Sequence, residues 1–179
     1  MLSDSHKQAL LAIAREAVSS QVAGGRLPAS GTTVPLPQAS GVFVTLKVRG
    51  ELRGCLGTLD PRRDLGAEVA RCAVDAASAD PRFAPISAPE LPDISVEVSV
   101  LGPLEPIDPA APGAIEIGRH GLVAEEGSRR GLLLPQVAVE WGWTVEQFLR
   151  RTCLKAGLAA DAWQHGATIS RFDAEVFGA

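Results

Sequence analysis

Residues 41–58 read GVFVTLKVRGELRGCLGT, from Gly41 to Thr58. Val42, Val44, Leu46 and Val48 fall on one side of an extended chain, and Phe43, Thr45, Lys47 and Arg49 on the other. Gly50-Glu51 turns the chain, and Leu52 to Thr58 resumes as a second strand. The stretch is an antiparallel hairpin, and its register decides where Cys55 points. A two-residue loop at Gly50-Glu51 pairs Leu46 with Cys55 and puts the thiol among the valines. A three-residue loop pairs Arg49 with Arg53, Lys47 with Cys55 and Leu46 with Leu56, which keeps polar opposite polar and apolar opposite apolar. Since a slip of one residue moves every side chain to the other face, the pattern favours the three-residue loop. Gly50 supplies the left-handed position such a loop needs.

In that register Arg53 and Cys55 share a face, about 7 Å apart at two strand rises, with Lys47 opposite. Two cations beside a thiol favour the thiolate and raise its reactivity. Gly54 and Gly57 clear the remaining positions of side chains, so that a ligand or another backbone can come close. The same residues also read as a packing motif, with glycines marking a bulge and Cys55 filling space as a small apolar side chain.

Away from the hairpin, residues 5–20 read as a helix. Ser5 and Gln8 stand at capping-box spacing, and Leu10, Ile13, Ala14, Ala17 and Val18 form one apolar face. Residues 24–40 are rich in Gly, Pro and Ser and read as a loop whose Leu27, Val34 and Leu36 dock on the body. Residues 64–79 form a helix packed through Leu65, Val69, Cys72, Ala73 and Ala76, with Glu68 and Arg71 paired outside it. A proline-rich loop, DPRFAPISAPELPD, leads to the strand ISVEVSVL over 94–101. A second proline-rich linker, Pro103 to Gly113, precedes a hairpin over 121–135 that turns near Gly127 to Arg130. Thr144 and Gln147 cap a helix that ends at Gly157, and 167–177 is a last strand. Hairpin, helix and strand thus succeed one another twice, over 42–101 and 121–177. The class is α+β, with antiparallel sheets and covering helices, and two such units leave a crevice suited to a ligand.

Composition narrows the function. A chain of 179 residues with 46% apolar and 21% charged side chains forms one globular domain with a real core. The net charge of −4, with no basic stripe, argues against nucleic-acid binding. Three cysteines without a CxxC pair argue against a disulfide framework or a zinc knuckle. The N-terminus lacks a signal-peptide layout, and no apolar run is long enough for a bilayer. The expectation is a reduced, cytoplasmic protein, not bound to membranes.

Further candidates lie outside the hairpin. Asp80, at the negative end of a helix dipole, calls for a cationic partner, and Arg82 is the nearest. The two either line the crevice or lock a loop as an ion pair, with Phe83 as a core anchor. Glu97 and Ser99 share the polar face of their strand. If that face meets Cys55, Glu97 serves as a base or binds a cation; otherwise it is a solvated face. His120, in GRHG, is either an acid, base or ligand, or the holder of a turn hydrogen bond. Gln136 and Glu140 are weaker candidates. Cys72 and Cys153 fall on apolar helix faces as packing residues. Cys55, His120 and Glu97 make a conceivable catalytic set without a local nucleophile signature. No P-loop, dinucleotide fingerprint, HExxH or EF-hand is present, so no cofactor is implied, and too few ligands are visible for a metal.

The segments GVFVTL, LRGCLGTL, SADPRFAPI, ELPDISVEVSVL, IGRHGL, LLLPQVAVEWGW and FLRRTCLKAGL stand in the order seen in the AMMECR domain family, also called AmmeMemoRadiSam system protein A. The resemblance runs from about Leu11 to Phe177, as a single domain over 1–179. It departs at Ser78-Ala79, where paired alanines are usual. It implies an α+β fold in two unequal subdomains with a cleft, and a link to a Memo-like or a radical-SAM protein as partner. It supplies no reaction. It directs attention to Arg53, Gly54, Cys55, Gly57 and Thr58, to Asp80, Arg82 and Phe83, and to His120. Three functions are compatible with it: a binding or accessory module for a protein or small molecule, a cysteine-dependent enzyme with Cys55 as nucleophile on an acyl, thiol or nucleobase-like substrate, and a scaffold in which the motif only packs.

Overall fold

The computed structural model describes residues 2–25 and 35–178. Leu27 and Val34 of the expected docking loop lie outside the described residues; Leu36 packs, partly buried, against the core of its unit. The chain divides into two compact units, Met1–Leu101 with Glu175–Ala179, and Gly102–Ala174. The expected α+β class is what forms, with the pairings of the first strand with its two neighbours and of the last strand with its partners in the second unit all antiparallel. No described helix is long and apolar enough to cross a membrane.

In the first unit, helix α1 (Asp4–Val22) begins one residue earlier and ends two later than its pattern implies. Ser3, not Ser5, is the N-cap: its hydroxyl accepts from the N–H of His6, and the Nδ1 of His6 accepts from the N–H of Ser3. The imidazole takes the place of the Glu or Gln that usually closes such a box. Strands β1 (Gly41–Val48) and β2 (Glu51–Thr58) form the hairpin, α2 (Leu65–Ser78) follows, and β3 (Ile94–Leu101) returns beside β1. The order is β2-β1-β3, with the tail of the last strand next to β3. Val42, Val44 and Leu46 of β1 and Val96, Val98 and Val100 of β3 bury one face against Val69, Cys72, Ala73 and Ala76 of α2 and Leu10, Ala14 and Val18 of α1. Burying a side chain of this kind stabilises by about 1.5–3 kcal/mol. Glu68 does pair with Arg71, at 2.9 Å, yet it is buried rather than outside. It also accepts from the N–H groups of Arg62 and Arg63. Burial alone would raise its pKa, but these bonds outweigh it and hold the carboxyl below its ordinary value.

The second unit repeats the connectivity. Strands β5 (His120–Glu126) and β6 (Arg129–Leu133) make a hairpin, helices α3 (Pro135–Glu140) and α4 (Val145–Lys155) follow, and β7 (Thr168–Gly178) returns beside β5. The order β6-β5-β7 matches β2-β1-β3. The likeness extends to one glycine in each hairpin. A Cβ on Gly54 would overlap the carbonyl oxygen of Ala76 near the end of α2, and a Cβ on Gly131 would overlap the backbone of Ala156 at the end of α4. In both units the second strand lacks a side chain where the covering helix comes closest.

Two elements escape the sequence pattern. Strand β4 (Glu105–Ile107) lies within the expected linker and pairs with β7, and α3 starts at the last residue of the expected hairpin and runs on through residues to which the pattern assigns no element. The Thr144–Gln147 capping box and the left-handed Gly157 after α4 both form.

Candidate functional site

The β1–β2 hairpin turns at Arg49-Gly50, where both residues have positive φ, 53° and 85°. This is the two-residue turn whose twist matches that of the strands it joins. It pairs Val48 with Glu51 and Lys47 with Leu52. A bulge then leaves Arg53 without a partner, and beyond it Leu46 faces Gly54 and Thr45 faces Cys55. The expected three-residue register, with Cys55 opposite Lys47, does not form. The displacement is two residues, an even number, so Cys55 stays on the face that carries Phe43, Thr45 and Lys47.

On that face Cys55, Thr45 and Glu97 stand in one row across three strands, since Thr45 faces Cys55 on one side and Glu97 on the other. The Thr45 hydroxyl donates to the Cys55 sulfur at 3.2 Å. Lys47 reaches diagonally to Glu97 at 3.5 Å. Cys55 and Glu97 therefore share a surface, with Thr45 between them. The thiol is half-buried, whereas Cys72 and Cys153 are fully buried. Burial pushes the Cys72 thiol up to about 11 and raises that of Cys153.

Strand β2 is at the edge of its sheet, and one ion pair covers that edge at Cys55. The N–H of Cys55 donates to Asp80 Oδ2 at 2.9 Å, and the guanidinium of Arg82 reaches the Cys55 carbonyl at 3.5 Å. Because its N–H points away from β1, the Cys55–Thr45 pair is of the non-hydrogen-bonded kind, where Cα atoms come within about 4.5 Å. This brings the Thr45 hydroxyl within reach of the sulfur. Arg82 also donates to Asp80 through Nη2 at 2.7 Å and Nε at 3.0 Å, and its backbone N–H joins them. The Asp80 side chain is 2% exposed and that of Arg82 54%. The Arg82 guanidinium, opposed by burial but joined by the two backbone N–H groups, holds the Asp80 carboxyl well below the ordinary carboxylate range. Together the carboxylate and the guanidinium offer β2 the acceptor and donor that another strand would supply.

Arg53 does not stand beside the thiol. The bulge turns it to Glu90, with Nε to Oε1 at 2.7 Å, and to the carbonyl of Ala84 at 2.6 Å. The cation at the Cys55 backbone is instead Arg82, whose Nη2 reaches the Cys55 carbonyl. The segment 80–90 is thus tied twice to the LRGC stretch, through Asp80 to Cys55 and through Glu90 to Arg53. The Ser87 hydroxyl and N–H, ahead of Arg53, hold the Glu90 carboxyl down to about 2. Neither Thr45 nor Glu90 is among the residues the sequence singles out. Ser87-Ala-Pro-Glu90 has the S-x-x-E spacing of a capping box, a signal that would have found the second. Phe83 is half-buried beneath the Arg82 guanidinium, 5.3 Å from its ring centre, and Ile86 is the buried anchor of the segment.

The space beside each motif glycine is filled. Ala76 occupies that of Gly54, and the Phe43 ring lies across Gly57. The Thr58 hydroxyl accepts from the N–H of Asp60 and closes a turn. His120 belongs to the second unit, where its Nδ1 accepts from the N–H of Glu116 at 3.0 Å. Its side chain is 8% exposed, and Asp173 Oδ1 lies 3.9 Å from Nε2. Among the described residues no cluster of His, Cys, Asp and Glu could hold a metal ion.

Comparison with known proteins places these features. A family profile described as AMMECR1 matches residues 11–177. A protein of Methanothermobacter thermautotrophicus is 45% identical over 184 residues, covering 98% of this chain and 95% of its own length. One of Thermofilum pendens is 43% identical over 185 residues, covering 94% of this chain and 87% of its own. The crystal structure of an uncharacterized protein from Pyrococcus horikoshii matches with a TM-score of 0.90 and 39% identity, across 99% of this chain and 93% of that one.

Proposed function

This chain belongs to the AMMECR1 family, and on that premise we propose that it is a binding or accessory module. Its recognition surface is the polar face of β1, β2 and β3 with the clamp formed by Asp80, Arg82 and Arg53. The partner is a Memo-like or radical-SAM protein, or a small molecule on which they act. One observation carries this reading: the charged groups around Cys55 are already paired, Arg53 with Glu90, Lys47 with Glu97 and Arg82 with Asp80. Among the described residues no imidazole or carboxylate hydrogen-bonds the sulfur, whereas an activated nucleophile has a base within such reach. A face whose charges are compensated and whose loop is tied down in two places is preorganised for recognition.

A second reading, a cysteine-dependent enzyme, is favoured by the Thr45 hydroxyl on the sulfur and by the place of Cys55 on the polar face rather than among the valines. One set of measurements separates the two. The purified chain and its Cys55→Ser and Lys47→Glu variants are mixed with the Memo-like and radical-SAM proteins of the same genome, and complexes are read by native mass spectrometry. The module reading expects a complex that survives Cys55→Ser and is lost with Lys47→Glu. No complex with either protein, together with a substrate turnover abolished by Cys55→Ser in a folded chain, replaces it with the enzyme.

A further inference from the structure

A recess of about 120 Å³ lies in the second unit, lined by Pro103, Glu105, Arg119, His120, Arg171, Phe172 and Asp173. That is room for about four waters at their liquid volume. His120 forms part of its wall. Because Nδ1 accepts from the backbone N–H of Glu116, the neutral ring carries its proton on Nε2. Asp173 Oδ1, at 3.9 Å, is too far to accept it. The Nε2–H therefore has no acceptor among the described residues and stands at the edge of a space large enough to hold one.

Two guanidinium groups stand on the same wall. Arg171 donates through Nε to Glu105 at 3.0 Å and through Nη1 to the Ala114 carbonyl at 2.9 Å. Arg119 donates through Nε to Asp173 at 3.3 Å and through Nη1 to Glu116 at 3.4 Å. The Nη2 group of each has no partner among the described residues. The two carboxylates that line the recess each accept from one of these arginines, through Glu105 Oε2 and Asp173 Oδ1; each keeps a second oxygen, and the arginines keep their Nη2 donors. Burial first, then Arg171, lowers the pKa of His120, with the opposing effect of Asp173 ranked below that of Arg171. The lowered pKa favours the uncharged ring, whose Nε2–H is a donor.

We infer that this recess binds a small oxyanion, a carboxylate or phosphate group, through the Nε2–H of His120 and the free Nη2 groups of Arg119 and Arg171. The site lies wholly within the second unit and does not depend on the reading proposed for the Cys55 face. The proposal is tested by following the imidazole nitrogens in long-range ¹H–¹⁵N spectra during titration with acetate and, separately, inorganic phosphate, against chloride at constant ionic strength. The chain has three histidines, and His6→Gln and His165→Gln identify the His120 signals. The expected result is a saturable shift at His120 Nε2 with one of the two oxyanions; saturation with phosphate alone marks a phosphate ester as ligand, and with acetate a carboxylate. Arg119→Gln removes a side chain that is 61% exposed and leaves the fold intact. It is expected to weaken the binding roughly tenfold, the size of one charge-assisted hydrogen bond. A shift that chloride reproduces, or one unchanged in Arg119→Gln, overturns the assignment.

Discussion

The backbone N–H of Cys55 donates to the buried carboxylate of Asp80, 25 residues along the chain, at 2.9 Å. This bond joins the edge of a sheet to the end of a helix, and Arg82 completes it from the solvent side.

Asp80 and Arg82 should therefore differ as mutation sites although they form one pair. Asp80→Asn removes the charge that accepts from Cys55 and from Arg82, inside the protein, and is expected to cost about 2–4 kcal/mol of stability. Arg82→Gln, at a half-exposed position, should cost about 1 kcal/mol or less. Urea denaturation of the two variants checks this. Equal losses would mean that the carboxylate is not the centre of the clamp.

Acid should weaken the tie between Arg53 and Glu90. The Glu90 carboxyl is held at about 2 against an ordinary value of 4.5. A carboxylate depressed in the folded state contributes stability that is present above its unfolded pKa and is lost as the pH falls toward its folded one. The window is thus from about pH 4.5 down to about 2. The urea midpoint of the parent chain should fall between pH 5 and pH 3, and Glu90→Gln should reduce that fall. A Glu90→Gln chain that loses as much stability over the same interval would show that other carboxylates, such as Glu68 and Asp80, account for all of it.

The two glycines under the covering helices should tolerate no side chain. Gly54→Ala and Gly131→Ala each force a methyl group into helix backbone, which is not free to move as a side-chain tip is. Each is expected to destabilise by about 3 kcal/mol or more, the range of a severe overpacking change. Gly127→Ala, in the β5–β6 turn, meets nothing in space and loses only through its left-handed φ of 59°. Thermal melts that rank Gly127→Ala with the other two would contradict the close approach.

Much of this architecture is legible in the order of residues, because the signals involved are local. Alternation has a period of two, so Val42 to Val48 and Ile94 to Val100 declare their buried faces without reference to anything else. The expected face of Cys55 holds because its register is off by an even number, and that parity rests on the bulge at Arg53, since the Arg49-Gly50 turn alone would set Cys55 opposite Val44. Apolar spacing and the Thr144–Gln147 box likewise define α4. The register itself depends on Arg49 taking a left-handed conformation that non-glycine residues seldom adopt, and on a bulge at Arg53 that the fold imposes. Strand β4 and helix α3 are too short, at three and six residues, to establish a period.

The sequence by itself determined the two hairpin–helix–strand units and the family, since each is written in neighbouring residues, whereas the side of the sheet on which the Cys55 thiol emerges also depends on the bulge at Arg53. Only the tertiary structure decided the companions of that thiol: Thr45 rather than Lys47 across the strand, and Asp80 with Arg82 rather than Arg53 along the edge. Those pairings are made between segments 10 to 27 residues apart. Which donor meets which acceptor at such separations depends on how helix and loop pack on the sheet, and no local period carries that information.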